Sequence, residues 1–297
     1  MDDIDYIYHE KISYDNPFVP VKVYLHQKPD DVWNDWHVHK QVELLYIIKG
    51  GLDVYVEQQR FDLRDHDVVL IGPNQLHRDH AHKAEYIVFQ FDCSQYADAT
   101  TLPYFSMFTE PNAALSRLNY IFAENPRARD EVVRCIMDIF TEMNDKAYGY
   151  ELAVSSYIRR LLQTLLRYDS RHLLTMRAAD IARLKPVLDY IETNLASKIS
   201  VTDACKMVNI SYSHFVTYFK KVVGMSFVDY VNYRKIKMAE RILLLEDRNV
   251  EEVGNIVGME NRGHFYRIFR KFNQCSPREF RLKMMGLSGQ LQKLRKI

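Results

Sequence analysis

The 297-residue chain has no long apolar run, no paired cysteine motif and no apolar leader at its start. Its longest wholly apolar stretches, such as those around Val68–Ile71 and Ile242–Leu245, are a handful of residues. That is far short of the roughly 20 needed to span a bilayer. The four cysteines, Cys93, Cys135, Cys205 and Cys275, stand far apart with no C-x-x-C spacing, so they read as reduced thiols and not as staples or zinc ligands. The opening MDDIDYIYHE is acidic and lacks an h-region, which excludes a signal peptide and leaves a cytoplasmic protein without membrane contact as the expectation. Glycine (10) and proline (9) are scarce, and net charge is only +1. What is present is globular: 47% hydrophobic, 12% aromatic, enough for the cores of about two domains.

The small net charge hides a division. Residues 1–180 carry 19 Lys+Arg against 28 Asp+Glu, and residues 181–297 carry 21 against 11. A net of −9 therefore precedes a net of +10, a layout that points to a basic partner-binding half.

Residues 20–92 read as short strands. Val42–Ile48 and Leu52–Glu57 are β-rich and meet at Gly50-Gly51, a hairpin signal. Val68–Ile71 ends at Gly72-Pro73, and Glu85–Phe91 is another aromatic, β-branched run, so a barrel or sandwich is expected. From about residue 112 the spacing becomes helical. Arg129–Lys146 and Glu151–Tyr168 each carry an Ile/Leu/Val stripe, which serves either as core against the barrel or as a two-helix dimer interface. Residues 169–180 lack periodicity and are the candidate linker.

The basic half contains a repeat with a period near 50. His214-Phe215-x-x-x-Phe219-Lys220-Lys221 matches His264-Phe265-x-x-x-Phe269-Arg270-Lys271. Aromatics at i and i+4 define a buried helix face. Each copy follows a short helix opened by a capping signal, Ser200-x-x-Asp203 or Asn249-x-x-Glu252, and a brief turn, 209–211 or 258–261. Two helices about such a turn form a helix-turn-helix. Ser226–Leu245 joins the copies as one amphipathic helix of about 30 Å, close to the roughly 34 Å between successive major grooves on one face of B-DNA.

Residues 184–282 resemble the DNA-binding domain of AraC-type (arabinose-regulator) transcription factors. The resemblance rests on Phe219-Lys220-Lys221, Gly224-Met225-Ser226-Phe227, Tyr230, Arg234 and Ala239. A second block adds 256–258, His264-Phe265, Phe269-Arg270-Lys271 and Ser276-Pro277-Arg278-Glu279-Phe280-Arg281. Met259, Gln274 and Gly254 depart from the family pattern, and Gly254 should weaken its helix by about 1 kcal/mol relative to Ala.

With Phe215, Phe219, Phe265, Ile268 and Phe269 turned inward, the exposed faces are Ser213, Val216, Thr217 and Lys220, then Arg262, Gly263, Tyr266, Arg267 and Arg270. Ser213 and Thr217 can hydrogen-bond base edges, and Val216 can pack on a thymine methyl. Arg262 and Arg267 can each pair with guanine O6/N7, at about 1–3 kcal/mol of discrimination. Lys220, Lys221, Arg270 and Lys271 are expected on phosphates.

In the acidic half, His37-x-His39-x-x-x-Glu43 followed by Gly50 matches the first cupin motif, and Asp67-x5-Pro73-x-x-x-His77 resembles the second. Odd parity puts 37, 39 and 43 on one face of an extended strand. The resemblance implies a ligand pocket, often for sugars, lined here by Trp33, Trp36, His37, His39, Glu43, Lys49 and His77, the tryptophans stacking on a sugar face. Three readings stay open: a sensor pocket without metal, a metal centre at His37, His39, Glu43 and His77, and a structural core of satisfied histidines.

The expectation is thus an α+β two-domain protein. A cupin-like β-barrel (about 15–105) with a helical dimerisation segment (about 112–168) forms residues 1–168. A linker (169–180), an all-α double helix-turn-helix domain (181–283) joined by a long helix, and a basic tail (284–297) follow. Function is expected to be sequence-specific regulation of transcription by a ligand-responsive activator, without catalysis or cofactor. The implied partners are double-stranded operator DNA, a sugar-like effector, RNA polymerase and a second copy in a homodimer. The alternatives are a metal-dependent cupin enzyme with an appended DNA-binding domain, and a ligand-independent regulator whose cupin only dimerises.

Overall fold

The computed structural model describes residues 7–16, 19–97, 101–109, 114–174 and 178–284. The chain divides into two units, Met1–Met176 and Arg177–Ile297. The first holds one mixed sheet of seven strands: β1 (Tyr8–His9), β2 (Val21–Trp33), β3 (His37–Val38), β4 (Val42–Val56), β5 (Gln59–Leu63), β6 (Val68–Ile71) and β7 (His77–Phe91). β7 pairs antiparallel with β2, β3 and β4, β4 also carries β5 and β6, and β1 joins β3 in parallel.

The hairpin expected at Gly50-Gly51 is not there. β4 runs through both glycines, and the chain reverses later, between Val56 and Gln59. Gly50 sits at φ +97°, and a Cβ on it would lie 2.1 Å from the Lys83 carbonyl oxygen. The glycine therefore serves a bulge where two backbones approach closely, opposite Lys83 at φ +50°. The bulge exchanges the two faces of the strands. Leu45 and Ile47 before it share one core with Leu52, Val54 and Val56 after it, together with Ala81, Tyr86 and Val88.

The other face of the sheet is covered by helix. The short helices α1 (Leu102–Ser106) and α2 (Tyr120–Glu124) lead into α3 (Pro126–Asp145) and α4 (Tyr150–Tyr168). Val132, Ile136 and Ile139 of α3, with Ile158, Leu161 and Leu165 of α4, bury against Leu44, Leu70, Phe89 and Phe91. The two stripes are therefore core against the sheet, and the large apolar residues left exposed on and beside them are Met137, Tyr148 and Leu152. The first half of the expected linker also belongs to this unit. Asp169 accepts hydrogen bonds from the Tyr120 hydroxyl (2.8 Å) and the Leu174 amide (2.6 Å), and Leu173 and Leu174 pack on the core.

The second unit is helical: α5 (Ala178–Thr193), α6 (Val201–Val208), α7 (Tyr212–Val223), α8 (Phe227–Leu245), α9 (Val250–Ile256) and α10 (Arg262–Asn273), then a helix at residues 277–284. The basic tail beyond residue 284 lies outside the described residues. Both capping signals hold. Ser200 accepts from the amides of Thr202 and Asp203, and Asn249 with Glu252 forms a full capping box. The period of 50 recurs in three dimensions: Ser226 caps α8 through the Asp229 amide, and Ser276 accepts from the Glu279 amide.

Each copy has an aromatic core. Phe215, Phe219 and Phe227 meet with ring centroids 5.3–5.6 Å apart, and Phe269 meets Phe265 at 5.8 Å and Phe280 at 5.3 Å. Lys235 of α8 ties the copies together. It is 5% exposed, and its Nζ donates to the carbonyls of Ser197 (2.9 Å) and Gly258 (3.1 Å). Gly254 also finds its reason. A Cβ there would stand 3.2 Å from the Met259 carbonyl, so the small residue lets the turn close on α9. Among the described residues no helix is long and apolar enough to cross a membrane.

Candidate functional site

Strands β2, β4 and β7, with residues at β1, β3 and the turn between β2 and β3, line a partly open cavity of about 310 Å³. Its walls carry four carboxylates, Glu10, Asp35, Glu43 and Asp79, with Tyr24, His26, Asn34, His37, Tyr86 and Gln90 between them. No Lys or Arg is among the described lining residues. Asp79 is held by Lys28 Nζ (3.2 Å), Asn34 Nδ2 (2.6 Å) and the Tyr86 hydroxyl (3.3 Å). Gln90 Nε2 donates to both Glu10 (3.2 Å) and Glu43 (2.6 Å), while Gln90 Oε1 is buried without a partner. The acids converge on Tyr24: burial, then Glu43, Glu10 and Asp79, raise its pKa well above the ordinary value. Acceptors outnumber donors here.

Behind this wall lies the His–Glu cluster. The ligand atoms of His37, His39 and His77 all fall within 4.8 Å of one another. His39 Nε2 is 3.0 Å from Glu43 Oε2, and His77 Nε2 is 3.7 Å from Glu43 Oε1. Burial would raise the Glu43 pKa, but the hydrogen bond to His39 and the three imidazoles push it down to about 2. Burial opposes charging of His39 as well, and the bond to Glu43 outweighs it and raises its pKa. His77 is the reverse case, pushed down by burial to about 4 against the pull of Glu43. The cluster is thus a His39–Glu43 ion pair beside a neutral His77. The sequence placed 37, 39 and 43 on one strand. In fact β3 ends at Val38 and β4 starts at Val42, and the pairing of His37 with His77 completes the group.

Of the seven residues expected in the pocket, His37 and Glu43 line it, and His39 and His77 stand behind Glu43. Trp33, Trp36 and Lys49 do not line it. Trp33 is 45% exposed and stacks on His80 at 3.9 Å, and the Arg78 guanidinium lies over both tryptophans. A register shift between Asp30 and Val32 turns Trp33 to pair with His80 on the opposite face of the sheet. Among the lining residues missed by sequence, Tyr24, His26, Tyr86 and Gln90 share even parity on β2 and β7, and Gln90 is a polar break in an apolar run; Glu10, Asn34, Asp35 and Asp79 were missed as well, Asp79 having odd parity on β7 beyond the bulge at Lys83.

In the helical unit the repeat presents a polar face. On α7, Ser213, Thr217, Lys220 and Lys221 are exposed and Val216 half-buried, over buried Phe215 and Phe219. On α10, Arg262, Gly263, Arg267, Arg270 and Lys271 are exposed and Tyr266 half-buried, over buried Phe265, Ile268 and Phe269. All eleven expected residues therefore occupy the outer faces of the second helices. Arg262 lies over Tyr266 at 5.5 Å, and Arg267 Nη2 is 3.0 Å from His264 Nδ1. Lys271 pairs with Asp229.

Comparison with known proteins gives the two halves separate matches. Residues 20–162 match the AraC-like ligand binding domain, and residues 204–283 match a helix-turn-helix domain. The HTH-type transcriptional regulator YdeC of Bacillus subtilis (strain 168) is 21% identical over 82% of this chain and 85% of its own length. YdiP of Escherichia coli (strain K12), also an HTH-type transcriptional regulator, is 22% identical over 85% of this chain and 82% of its own. The raffinose operon transcriptional regulatory protein RafR of Pediococcus pentosaceus is 23% identical over 46% of this chain and 49% of its own. With a sheet domain that carries a pocket ahead of a double helix-turn-helix, the chain belongs to the AraC-type transcriptional regulators.

Proposed function

We propose that this regulator is a cytoplasmic, homodimeric activator whose affinity for its operator depends on a small polar effector bound in the cavity. The observation that carries the reading is the acceptor-rich pocket in the same chain as a helix-turn-helix repeat with an exposed basic face. Glu10, Glu43, Asp79 and Gln90 Oε1 ask for hydrogen-bond donors, and Tyr24, His26 and Tyr86 supply flat faces, so a neutral polyhydroxylated molecule fits and an anionic one does not. The names of the raffinose regulator and of the lactose operon activator of Staphylococcus xylosus, 31% identical over 33% of this chain, support carbohydrate as the class. Trp33, Trp36 and Lys49 have no part in this pocket. Arg262 and Arg267, with Ser213, Val216, Thr217, Gly263 and Tyr266, face base edges, and Lys220, Lys221, Arg270 and Lys271 face phosphates. The bound regulator contacts RNA polymerase, and neither unit is catalytic.

The effector's influence on DNA binding can be no larger than its differential affinity for the two states. A thermal-shift screen of neutral sugars and polyols, run beside operator affinity by fluorescence anisotropy, tests the reading. A ligand that shifts both supports it. A ligand that stabilises the protein and leaves DNA affinity untouched removes the switch.

One observation favours a second reading, a divalent metal at His37, His39, Glu43 and His77. His39 and His77 each turn Nδ1 to a backbone carbonyl, of Gln41 (3.2 Å) and Gln75 (2.8 Å), and His77 Nε2 is buried with no hydrogen-bond partner. Imidazoles held in this way suit a first-row transition metal. Stoichiometric, tightly held metal in the purified protein favours this reading, and its absence leaves the sensor.

A further inference from the structure

A second group of imidazoles and carboxylates lies on the other face of the sheet, remote in chemistry from the cavity. Asp53 of β4 alternates with Leu52 and Val54, and His80 and His82 of β7 alternate with Ala81. Leu52, Val54 and Ala81 all point into the enclosed core. Asp53, His80 and His82 therefore stand together on the opposite side, where Asp53 is registered directly against His80. Their ligand atoms all lie within 4.8 Å of one another.

Two features distinguish this group from an ordinary surface network. Asp53 is only 4% exposed, and its Oδ1 is buried without a hydrogen-bond partner. A bare buried carboxylate oxygen costs about 1–3 kcal/mol or more, so it asks for a cation or donor. Then there are the outer carboxylates. Asp31 Oδ1 is 2.8 Å from His80 Nε2, and Asp30 Oδ1 is 3.8 Å from His82 Nδ1. With the Nε2 proton of His80 held by Asp31, Nδ1 is left as a lone-pair donor, the arrangement in which metal-binding histidines are usually held.

We propose that Asp53, His80 and His82 form a binding site for a divalent transition-metal ion, with zinc the best match, and that Asp31 orients His80 from outside. Two imidazoles and a carboxylate leave a fourth position open, as in tetrahedral zinc sites. Bonds near 2.1 Å need ligand atoms about 3.4 Å apart, so contraction by at most about 1.4 Å closes the set. Arg60 and His82 hold the other oxygen of Asp53, Oδ2, at 3.1 and 3.0 Å, and Arg60 can remain there when Oδ1 takes the ion. His82, with 37% of its side chain exposed, provides the way in. A dication also offsets the charge of Asp30, Asp31 and Asp53 beyond what Arg60 supplies.

Equilibrium dialysis of the full-length protein against Zn²⁺, with bound metal counted by mass spectrometry, tests the site. His37→Gln together with His77→Gln leaves only His39 and Glu43 of the cavity-side cluster, and zinc must still bind this double variant. Adding His80→Gln and His82→Gln must abolish that binding. Asp31→Asn changes none of the three ligands, and Asn tolerates the φ of +57° at this position, so it keeps the fold and weakens zinc by 10- to 100-fold. Because Trp33 stacks on His80, Co²⁺ binding to the double variant should also quench Trp33 emission. Failure of the double variant to bind zinc overturns the proposal. So does zinc binding that is equal with and without His80 and His82, or an unchanged affinity in Asp31→Asn.

Discussion

Replacing Glu43 by Gln separates the buried charge cluster from the rest of the fold through its pH dependence. The carboxyl is held at about 2 against an ordinary 4.5. At about 1.4 kcal/mol per pKa unit, that gap is worth about 3 kcal/mol of folding stability. The folded value lies below the unfolded one, so the contribution is complete above about pH 4.5 and is lost as pH falls toward 2. His39 shows the same ion pair from the imidazole side. Its raised folded value makes the stabilisation complete below pH 6.5, fading as pH rises through that folded value. His77, lowered to about 4, costs stability as pH falls from 6.5 to 4. The assay is urea denaturation between pH 3 and 7 followed by tryptophan emission. Both tryptophans of the chain, Trp33 and Trp36, lie in the first unit, so the signal reports that unit alone. Glu43→Gln should start lower near pH 6 by about 3 kcal/mol and lose correspondingly less on acidification. An acid limb identical in the two proteins would refute the ion pair.

Other outcomes follow from the helical unit. Arg267→Ala should weaken operator binding by about 1–3 kcal/mol while leaving binding to random duplex nearly unchanged, measured by competition; equal losses on both would remove its base-reading role. Lys220→Ala should weaken all duplexes alike and lower the salt slope by about 1, read from affinity against salt concentration. Gly258→Ala places a Cβ 2.6 Å from the Ala196 carbonyl at φ +64°. It should lower the stability of the helical unit by about 2 kcal/mol or more, seen in the helical circular-dichroism melt without change in tryptophan emission. Gln274→Gly should raise it by several tenths to about 1 kcal/mol, because Gln274 is held at φ +56° where Gly224 serves in the first copy.

The helical unit was legible because its signals are local. Caps at Ser200 and Asn249, aromatics at i and i+4, and a period of 50 each act within a few turns of chain, and the structure keeps them all. The sheet was less so. Gly50-Gly51 reads as a turn, and only the partner strand, with Lys83 pressed against Gly50, makes it a bulge. That bulge, and the shift at Asp31, reverse which residues face inward. The shift at Asp31 pairs Trp33 with His80 on the outer face, whereas Tyr24, His26 and Gln90 reach the cavity by plain alternation and are recognised only once β2 and β7 are paired with the strand that carries Glu43. The His–Glu residues do lie together, but strand parity is an incomplete reason for it: the group is assembled by pairing of His37 with His77, not by one strand. The apolar stripes of α3 and α4 fit either reading until the sheet face they cover is known.

In the proposed function α7 and α10, joined by α8, enter successive major grooves. Selection of bound sequences from a random duplex pool, with wild type and Arg267→Ala side by side, tests it most directly. The wild type should enrich a site with two elements centred about 10 base pairs apart, and Arg267→Ala should lose preference within one element only. Enrichment of no sequence, or of the same sequence by both proteins, would contradict it.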